Sequence, residues 1–248
     1  MRVLIIGANG QLGKCLTDTK PEKLDLISYS KEEFDLLDID KCLQQIDRDK
    51  PNYVINAAAY TAVDKAETEK ENVEIINAQN PYKIAYKLNE LGGKFIQIST
   101  DFVFSGLKSS PYRTNDDLSP LNEYGKSKAL CEKLLLKLNN SKTIRTSWLY
   151  SPYGKNFCLT MLHLHKSCLE KKVPLRVVSD QISCPTSCFS LSNVCWEMII
   201  NNEIFRNKQK IFHWSDAGVA SWYDFAVAIG EIGLKFGLLE ETSKVLPI

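Results

Sequence analysis

The sequence predicts an α/β fold: a doubly wound parallel sheet with a smaller C-terminal lobe. Three observations point there. Through the first 150 residues, short and nearly uninterrupted apolar runs alternate with helical periodicity, the pattern of parallel strands buried on both faces. The first such run, Val3–Ile6, flows directly into a glycine-rich turn at Gly7–Gly13. Beyond residue 150 the regular alternation is lost.

Taken in order, Val3–Ile6 is a buried strand and Gln11–Asp18 begins a helix. Leu24–Tyr29 is a second strand, and Asp38–Asp47 a helix with Asp38 as its N-cap. Val54–Asn56 is a third strand, after Pro51-Asn52. Helical periodicity over Asn72–Leu91 stops at Gly92-Gly93, a C-terminal signal. Phe95–Ser99 is the fourth strand, Glu123–Leu138 a long helix and Thr143–Trp148 the fifth strand. Further on, helices are expected over Phe157–Leu169, Ser190–Ile200 and Trp222–Phe236, with strands at Leu175–Val178 and Ile211–Trp214. The loop Phe104–Pro120 is rich in Ser, Pro, Asn and Asp, and its length suits a functional lid or a disordered segment.

Composition removes several function classes. A chain of 248 residues can bury roughly 70–75% of its unfolded surface, so it needs neither disulfide nor metal to hold a core. Thirty-one basic side chains against 30 acidic ones give no reason to expect nucleic acid or an anionic membrane as partner. The eight cysteines contain no C-x-x-C, and the three histidines (His163, His165, His213) are not clustered with carboxylates, so no metal is expected. No apolar run approaches the length of a membrane span. Scattered thiols without an export signal predict a cytoplasmic protein.

Gly7-Ala-Asn-Gly10-Gln-Leu-Gly13 is G-x-x-G-x-x-G between a strand and a helix. The first glycine permits the tight turn, the second lets backbone approach a pyrophosphate, and the third allows close helix–strand packing. The helix N-terminus then attracts the phosphate charge. A tight turn that binds nothing is the plainer alternative. The stronger reading is a Rossmann-type dinucleotide-binding part over residues 1–150, with later strands near 173–214 returning to it. Residues 151–248 then form mainly the substrate-binding lobe. At the tip of strand two, Ser28-Tyr29-Ser30-Lys31 offers no acid for a ribose 2′-hydroxyl. Ser30 and Lys31 suit the 2′-phosphate of NADPH, with NADH also admitted. Asp35 and Leu36 border the adenine. Lys31 as a solvated surface lysine is the alternative.

Tyr124 and Lys128 form Y-x-x-x-K, which stacks both side chains on one helix face. A phenol of ordinary pKa near 10 works poorly as an acid–base group unless its anion is stabilised. An ammonium one turn away does that. The pair follows Ser99-Thr100-Asp101 and the long loop, and parallel sheets bind ligands at the carboxyl ends of their strands. Thr100 can hydrogen-bond the phenol or a substrate oxygen. A surface i,i+4 pair is the competing view.

These residues, together with Asn56-Ala-Ala-Ala-Tyr-Thr-Ala-Val-Asp-Lys-Ala-Glu67 and Ser99-Thr-Asp-Phe-Val-Phe104, resemble the extended short-chain dehydrogenase/reductases. The narrower resemblance is to the dTDP-4-dehydrorhamnose reductase family. Leu121-Asn-Glu-Tyr-Gly-Lys-Ser-Lys128, Arg145-Thr-Ser-Trp-Leu-Tyr150, Asp180-Gln-Ile-Ser-Cys-Pro-Thr186 and Ser221-Trp-Tyr-Asp-Phe225 carry it across nearly the whole chain. The resemblance implies a catalytic triad of Thr100, Tyr124 and Lys128, with hydride passing from NADPH or NADH to a sugar C4 ketone. It implies cofactor contacts at Gly7, Asn9, Gly10, Gln11, Leu12, Gly13, Ala58, Ala59, Tyr60 and Thr61, and at Tyr124 and Lys128, with Lys128 on the nicotinamide ribose. It places Thr100, Asp101, Tyr124, Trp148, Asn156 and Gln181 at the nucleotide-sugar substrate, and Asn77 as a water-mediated support for Lys128.

Two departures accompany it. Members that dimerise through magnesium carry a Glu soon after the glycine turn, where this chain has Lys14-Cys15. The family also continues beyond Val245-Leu-Pro-Ile248, so the substrate lobe is expected to be truncated and the protein a monomer or weak homodimer. Two other readings stay open on sequence: another nucleotide-sugar reductase or epimerase of this superfamily, and a non-catalytic NADP-binding regulatory subunit like that of methionine adenosyltransferase.

Overall fold

A computed structural model describes residues 1–201 and 203–248. In chain order, the first part runs β1 (Arg2–Ile6), α1 (Gln11–Asp18), β2 (Asp25–Tyr29), α2 (Ile39–Asp49), β3 (Tyr53–Asn56), α3 (Val63–Ala66), α4 (Lys70–Glu74), α5 (Asn80–Glu90), β4 (Lys94–Thr100), α6 (Glu123–Leu135) and β5 (Ser141–Thr146). It continues through β6 (Leu149–Tyr150), α7 (Phe157–Glu170), β7 (Leu175–Val177), β8 (Ile182–Ser183), β9 (Thr186–Ser187), α8 (Cys188–Ile200) and α9 (Glu203–Arg206). The last elements are β10 (Ile211–His213), β11 (Ala220–Ser221), α10 (Trp222–Lys235) and β12 (Val245–Pro247). The chain divides into two compact units, Met1–Thr146 with Leu191–Trp214, and Ser147–Ser190 with Ser215–Ile248.

The first unit is built on a six-stranded sheet of order β2-β1-β3-β4-β5-β10, every pairing parallel. β1 explains its own place: Val3 to Ile6 are fully buried, each contributing about 1.5–3 kcal/mol. Phe34, Ile46, Ile84, Leu88, Phe95 and Leu135 pack into one cluster with Leu4, Ile6 and Val54. Strand order reverses between β1 and β3, and such a switch point opens a crevice at the strands' carboxyl ends. The glycine turn sits there.

The second unit is smaller. Its core joins Met161 of α7, Leu175 and Val177 of β7, and Ala226 and Ile229 of α10. Ser221 caps α10 in a reciprocal box with Asp224. Among the described residues, no helix is long and apolar enough to cross a membrane.

Several expected elements differ. The helix expected over Asn72–Leu91 is interrupted by a π-helical turn at Ile75–Gln79. One extra residue per turn re-aims side chains there, which periodicity alone does not reveal. The strand expected to end at Trp148 stops at Thr146, because Trp148 takes φ of 45° and leaves the extended region. The helix expected to reach Leu138 ends at Leu135. Of the later strands expected to return to the main sheet, β10 does so, whereas β7 pairs in parallel with β12.

β5 is nearly all polar yet wholly buried. Lys142 illustrates how this is tolerated: its ammonium donates to the carbonyls of Asn207 and Gln209, and lies 5.9 and 6.0 Å from the ring centroids of Phe205 and Phe212. Lys142→Met keeps the stem and deletes both charge-assisted bonds. It is expected to lower stability by roughly 2–4 kcal/mol, read as a shift in urea midpoint with unchanged slope.

Candidate active site

The glycine turn is locked by contacts that admit no side chain. Gly7 has φ of +87°, and a Cβ on it would stand 2.8 Å from the backbone nitrogen of Ala58, just after β3. A Cβ on Gly13 would meet the Gly7 carbonyl at 2.2 Å. Gly7 and Ala8 both donate to the Tyr29 carbonyl at the end of β2. The turn is thereby tied to its neighbouring strands. Gly10 caps α1 without a side-chain bond, and the first turn of α1 carries no acid. An N-terminus so prepared, behind a turn bare of side chains, suits a pyrophosphate.

At the β2 tip the expectation needs correction in one respect. Acids are present after all: the Ser30 N–H donates to Glu33 at 2.9 Å, and the Ser30 hydroxyl bonds the Glu32 carboxylate, holding its pKa down. Lys31 is exposed beside them. Asp35 turns its carboxylate back onto the Leu37 N–H, while Asn80 fixes the Leu36 carbonyl at 2.6 Å. Asn9 and Thr61 are exposed, and Ala58, Ala59 and Tyr60 are half-buried.

The carboxyl end of β4 gathers the candidate triad. Thr100 caps the 3₁₀ turn Asp101–Val103, accepting from the Phe102 N–H. Its hydroxyl also bonds the Tyr124 phenol and lies 3.1 Å from the Asp101 carboxylate. Tyr124 packs edge-on against Phe102 with ring centroids 5.8 Å apart. Burial, with the Asp101 charge adding, pushes the Tyr124 phenol up to about 12, and the Thr100 bond opposes that. Lys128 is buried and donates to the Ile98 carbonyl at 2.6 Å. Burial pushes its ammonium down, with Cys131 and Glu132 resisting.

Two residues of the Leu121–Lys128 motif to which the sequence assigns no role make this arrangement possible. Asn122 caps α6 by accepting from Gly125 N–H at 2.7 Å. Gly125 lets the helix lie against the 3₁₀ turn, because a Cβ there would meet the Phe102 carbonyl at 2.2 Å. Thr146 stands opposite Thr100 in the β4–β5 register with a buried hydroxyl that has no hydrogen-bond partner.

Asn77 lies on the π-helical turn, fully engaged. It accepts from Tyr60 N–H at 2.8 Å and donates to the Tyr60 carbonyl and the Ser127 hydroxyl. It ties the loop after β3 to α6, at the residue preceding Lys128.

In the second unit, Trp148 stacks on Trp222 with centroids 3.4 Å apart, and the Trp222 indole N–H donates to Gln181 at 3.2 Å. The expected pair Trp148 and Gln181 is thus joined through a residue not singled out from sequence. Asn156 caps α7 and donates to the carbonyls of Ser151 and Tyr153. Among the described residues, no group of three His, Cys, Asp or Glu could hold a metal ion.

Comparison with known proteins adds a family to this geometry. A family model described as the RmlD substrate binding domain matches residues 1–245. The spore coat polysaccharide biosynthesis protein SpsK of Bacillus subtilis is 39% identical over 246 residues, covering 98% of this chain and 83% of that protein. A dTDP-4-dehydrorhamnose reductase of Aggregatibacter actinomycetemcomitans is 38% identical over 250 residues, with 98% and 83% covered. The crystal structure of a dTDP-4-dehydrorhamnose reductase from Bacillus anthracis in complex with NADP superposes with a TM-score of 0.85 at 34% identity, covering 100% of this chain and 84% of that one.

Asn77→Ala removes the link between the β3 loop and α6 and deletes three hydrogen bonds. A loss of roughly 2–4 kcal/mol is expected, measured by chemical denaturation.

Proposed function

The chain belongs to the RmlD substrate binding domain family, and from that membership we propose that it reduces the C4 ketone of dTDP-4-dehydro-β-L-rhamnose to dTDP-L-rhamnose. It is an NAD(P)H-dependent oxidoreductase of the nucleotide-sugar class, as its relatives' names and the NADP of a close structural neighbour support. The observation that carries the reading is the convergence of Thr100, Tyr124 and Lys128 at the end of β4.

NADPH, when bound, supplies the hydride that C4 accepts. The turn Gly7–Gly13 holds its pyrophosphate, Ser30 to Leu36 its adenosine end, and Ala58 to Thr61 the stretch between. Tyr124 holds a proton on Oη and gives it to the ketone oxygen as C4 is reduced, so no alkoxide is left behind. A phenol pushed up to about 12 keeps that proton throughout neutral pH, the state a donor needs. Its release is helped by the Lys128 charge one turn away and by the Thr100 hydroxyl, both of which stabilise the phenolate. Solvent then returns the proton to Tyr124. Trp148 and Gln181 we assign to recognition of the sugar. Asn156 acts through the shape of the α7 start.

Tyr124→Phe removes one oxygen and keeps the ring against Phe102. Turnover is expected to fall by about 10²–10⁴ while NADPH affinity holds. Lys128→Met is expected to weaken both, and Thr100→Val to slow turnover less. The assay is NADPH oxidation with dTDP-4-dehydrorhamnose. Equal turnover by Tyr124→Phe would refute the mechanism, and a protein that binds NADPH yet oxidises it with no nucleotide ketosugar would favour a regulatory role.

Cofactor choice follows from the β2 tip. Lys31 favours a 2′-phosphate and Glu32 opposes one, so NADPH should bind at least as well as NADH but by less than about tenfold. Glu32→Gln should widen the margin toward NADPH. Fluorescence titration with both reduced cofactors decides it, and a more than tenfold preference for NADH would sink the idea.

A further inference from the structure

One helical turn beyond Lys128 stands a carboxylate that this chemistry does not use. Glu132 is 1% exposed, and its partner Arg145 at the end of β5 is 5% exposed. Arg145 Nη2 donates to Glu132 at 2.7 Å, and Nε donates to both carboxylate oxygens at 3.1 Å. The Ser99 hydroxyl, on β4, donates to the same carboxylate. Arg145 Nη1 is held by the Thr114 carbonyl at 3.3 Å and by His213 Nε2 at 3.1 Å, while the Phe104 ring lies 4.9 Å from the guanidinium.

The register is what gives the pair meaning. Tyr124, Lys128 and Glu132 are spaced four apart and share one stripe of α6. Their partners on β4 are Thr100, Ile98 and Ser99, three consecutive residues. Glu132 is the third rung of the same ladder, and the one anchored by a charge from the next strand. A buried ion pair is seldom needed for stability, since apolar residues of similar volume often serve as well. Its position therefore calls for another reason.

We infer that Glu132 and Arg145 are positioning residues for the reduction: the pair clamps α6 to the ends of β4 and β5 and keeps the Tyr124 phenol and Lys128 ammonium in place. This rests on the reductase reading above. Besides geometry, the clamp has an electrostatic side. The groups facing Lys128 are Cys131 and Glu132 on its own helix and the Ile98 carbonyl on β4, with Arg145 of β5 acting through Glu132. Glu132 favours the charged ammonium against burial, and a guanidinium paired with that carboxylate should partly offset this by simple Coulombic repulsion.

The test compares Glu132→Gln, Arg145→Gln and the double variant, with Arg145→Lys as the conservative control. The double variant leaves no unpaired buried charge and should remain folded. Its kcat is expected to fall at least about tenfold with KM changing much less, since small misplacements of reacting groups are costly in turnover. The two single variants should move the alkaline limb of the kcat profile in opposite directions. Losing the carboxylate leaves Arg145 unpaired, lowers the Lys128 pKa and shifts the limb to lower pH. Losing the guanidinium does the reverse. Arg145→Lys should recover part of kcat. The same opposite shifts are expected in the Lys128 side-chain NMR titration of the cofactor-free protein, a readout independent of turnover.

A folded double variant with kcat and pH profile like the wild type would overturn the inference. So would Lys128 resonances that titrate identically in both single variants. If a single variant does not fold, the double variant's kcat decides. If the wild type itself reduces no nucleotide ketosugar, the reductase reading fails first, and the positioning role in reduction falls with it; the NMR titration then tests only the electrostatic coupling.

Discussion

Everything at the site depends on how closely α6 lies against the end of β4. That approach is set at Gly125, where any side chain would strike the Phe102 carbonyl. Once the helix lies this low, Lys128 is buried and Tyr124 half-buried beside it. Desolvation acts on the two in opposite senses, lifting the phenol and depressing the ammonium. Their proton affinities, ordinarily both near ten, are thereby driven apart, and the phenol becomes the tighter holder of its proton. Packing, at this position, is already chemistry.

The second constraint is the parallel sheet itself. With all strands pointing one way, the loops after β1, β3, β4 and β5 emerge on the same edge, and nothing further is needed to bring the glycine turn near the triad's strand. What remains is to fix those loops to one another. Gly7 does so by backbone contact with Ala58. Asn77 continues the chain of contacts by holding Tyr60 on one side and Ser127 on the other. Its inward aim requires the wide turn at Ile75–Gln79, so an irregularity in one helix sets the relation between the β3 loop and α6.

This explains which parts were legible in the sequence. The glycine turn and Y-x-x-x-K are short-range patterns, and their spacing carries their geometry within a single turn or loop. Strand identities followed from apolar runs such as Val3–Ile6. Gly125, Asn77 and Glu132 were not legible in that way, because each matters only against residues 13 to 50 positions distant, on other elements. The β2 tip shows a subtler failure. The tip Ser28–Lys31 itself holds no acid, yet the turn that follows folds Glu32 and Glu33 back onto Ser30. Trp148 is similar: nothing in a tryptophan announces a left-handed φ, which the fold imposes where β5 gives way to the second unit's chain.

β5 resolves what its own sequence leaves puzzling, a buried strand of polar residues at the heart of the first unit. Lys142 and Arg145 are three positions apart, so their side chains leave opposite faces of the sheet. Lys142 grips the carbonyls of Asn207 and Gln209 as the chain approaches β10. Arg145 meets His213 at the far end of β10, and its own carbonyl accepts from the Trp214 N–H at 2.9 Å. Burial and the Arg145 charge push the His213 imidazole down, which keeps it an acceptor at neutral pH. The strand thus secures, at both ends, a neighbour that arrives from 65 residues further along the chain. Apolar side chains would have packed the sheet as well, but they are indifferent to register. Directional bonds are not, and a sheet whose last strand returns from so far needs its register specified.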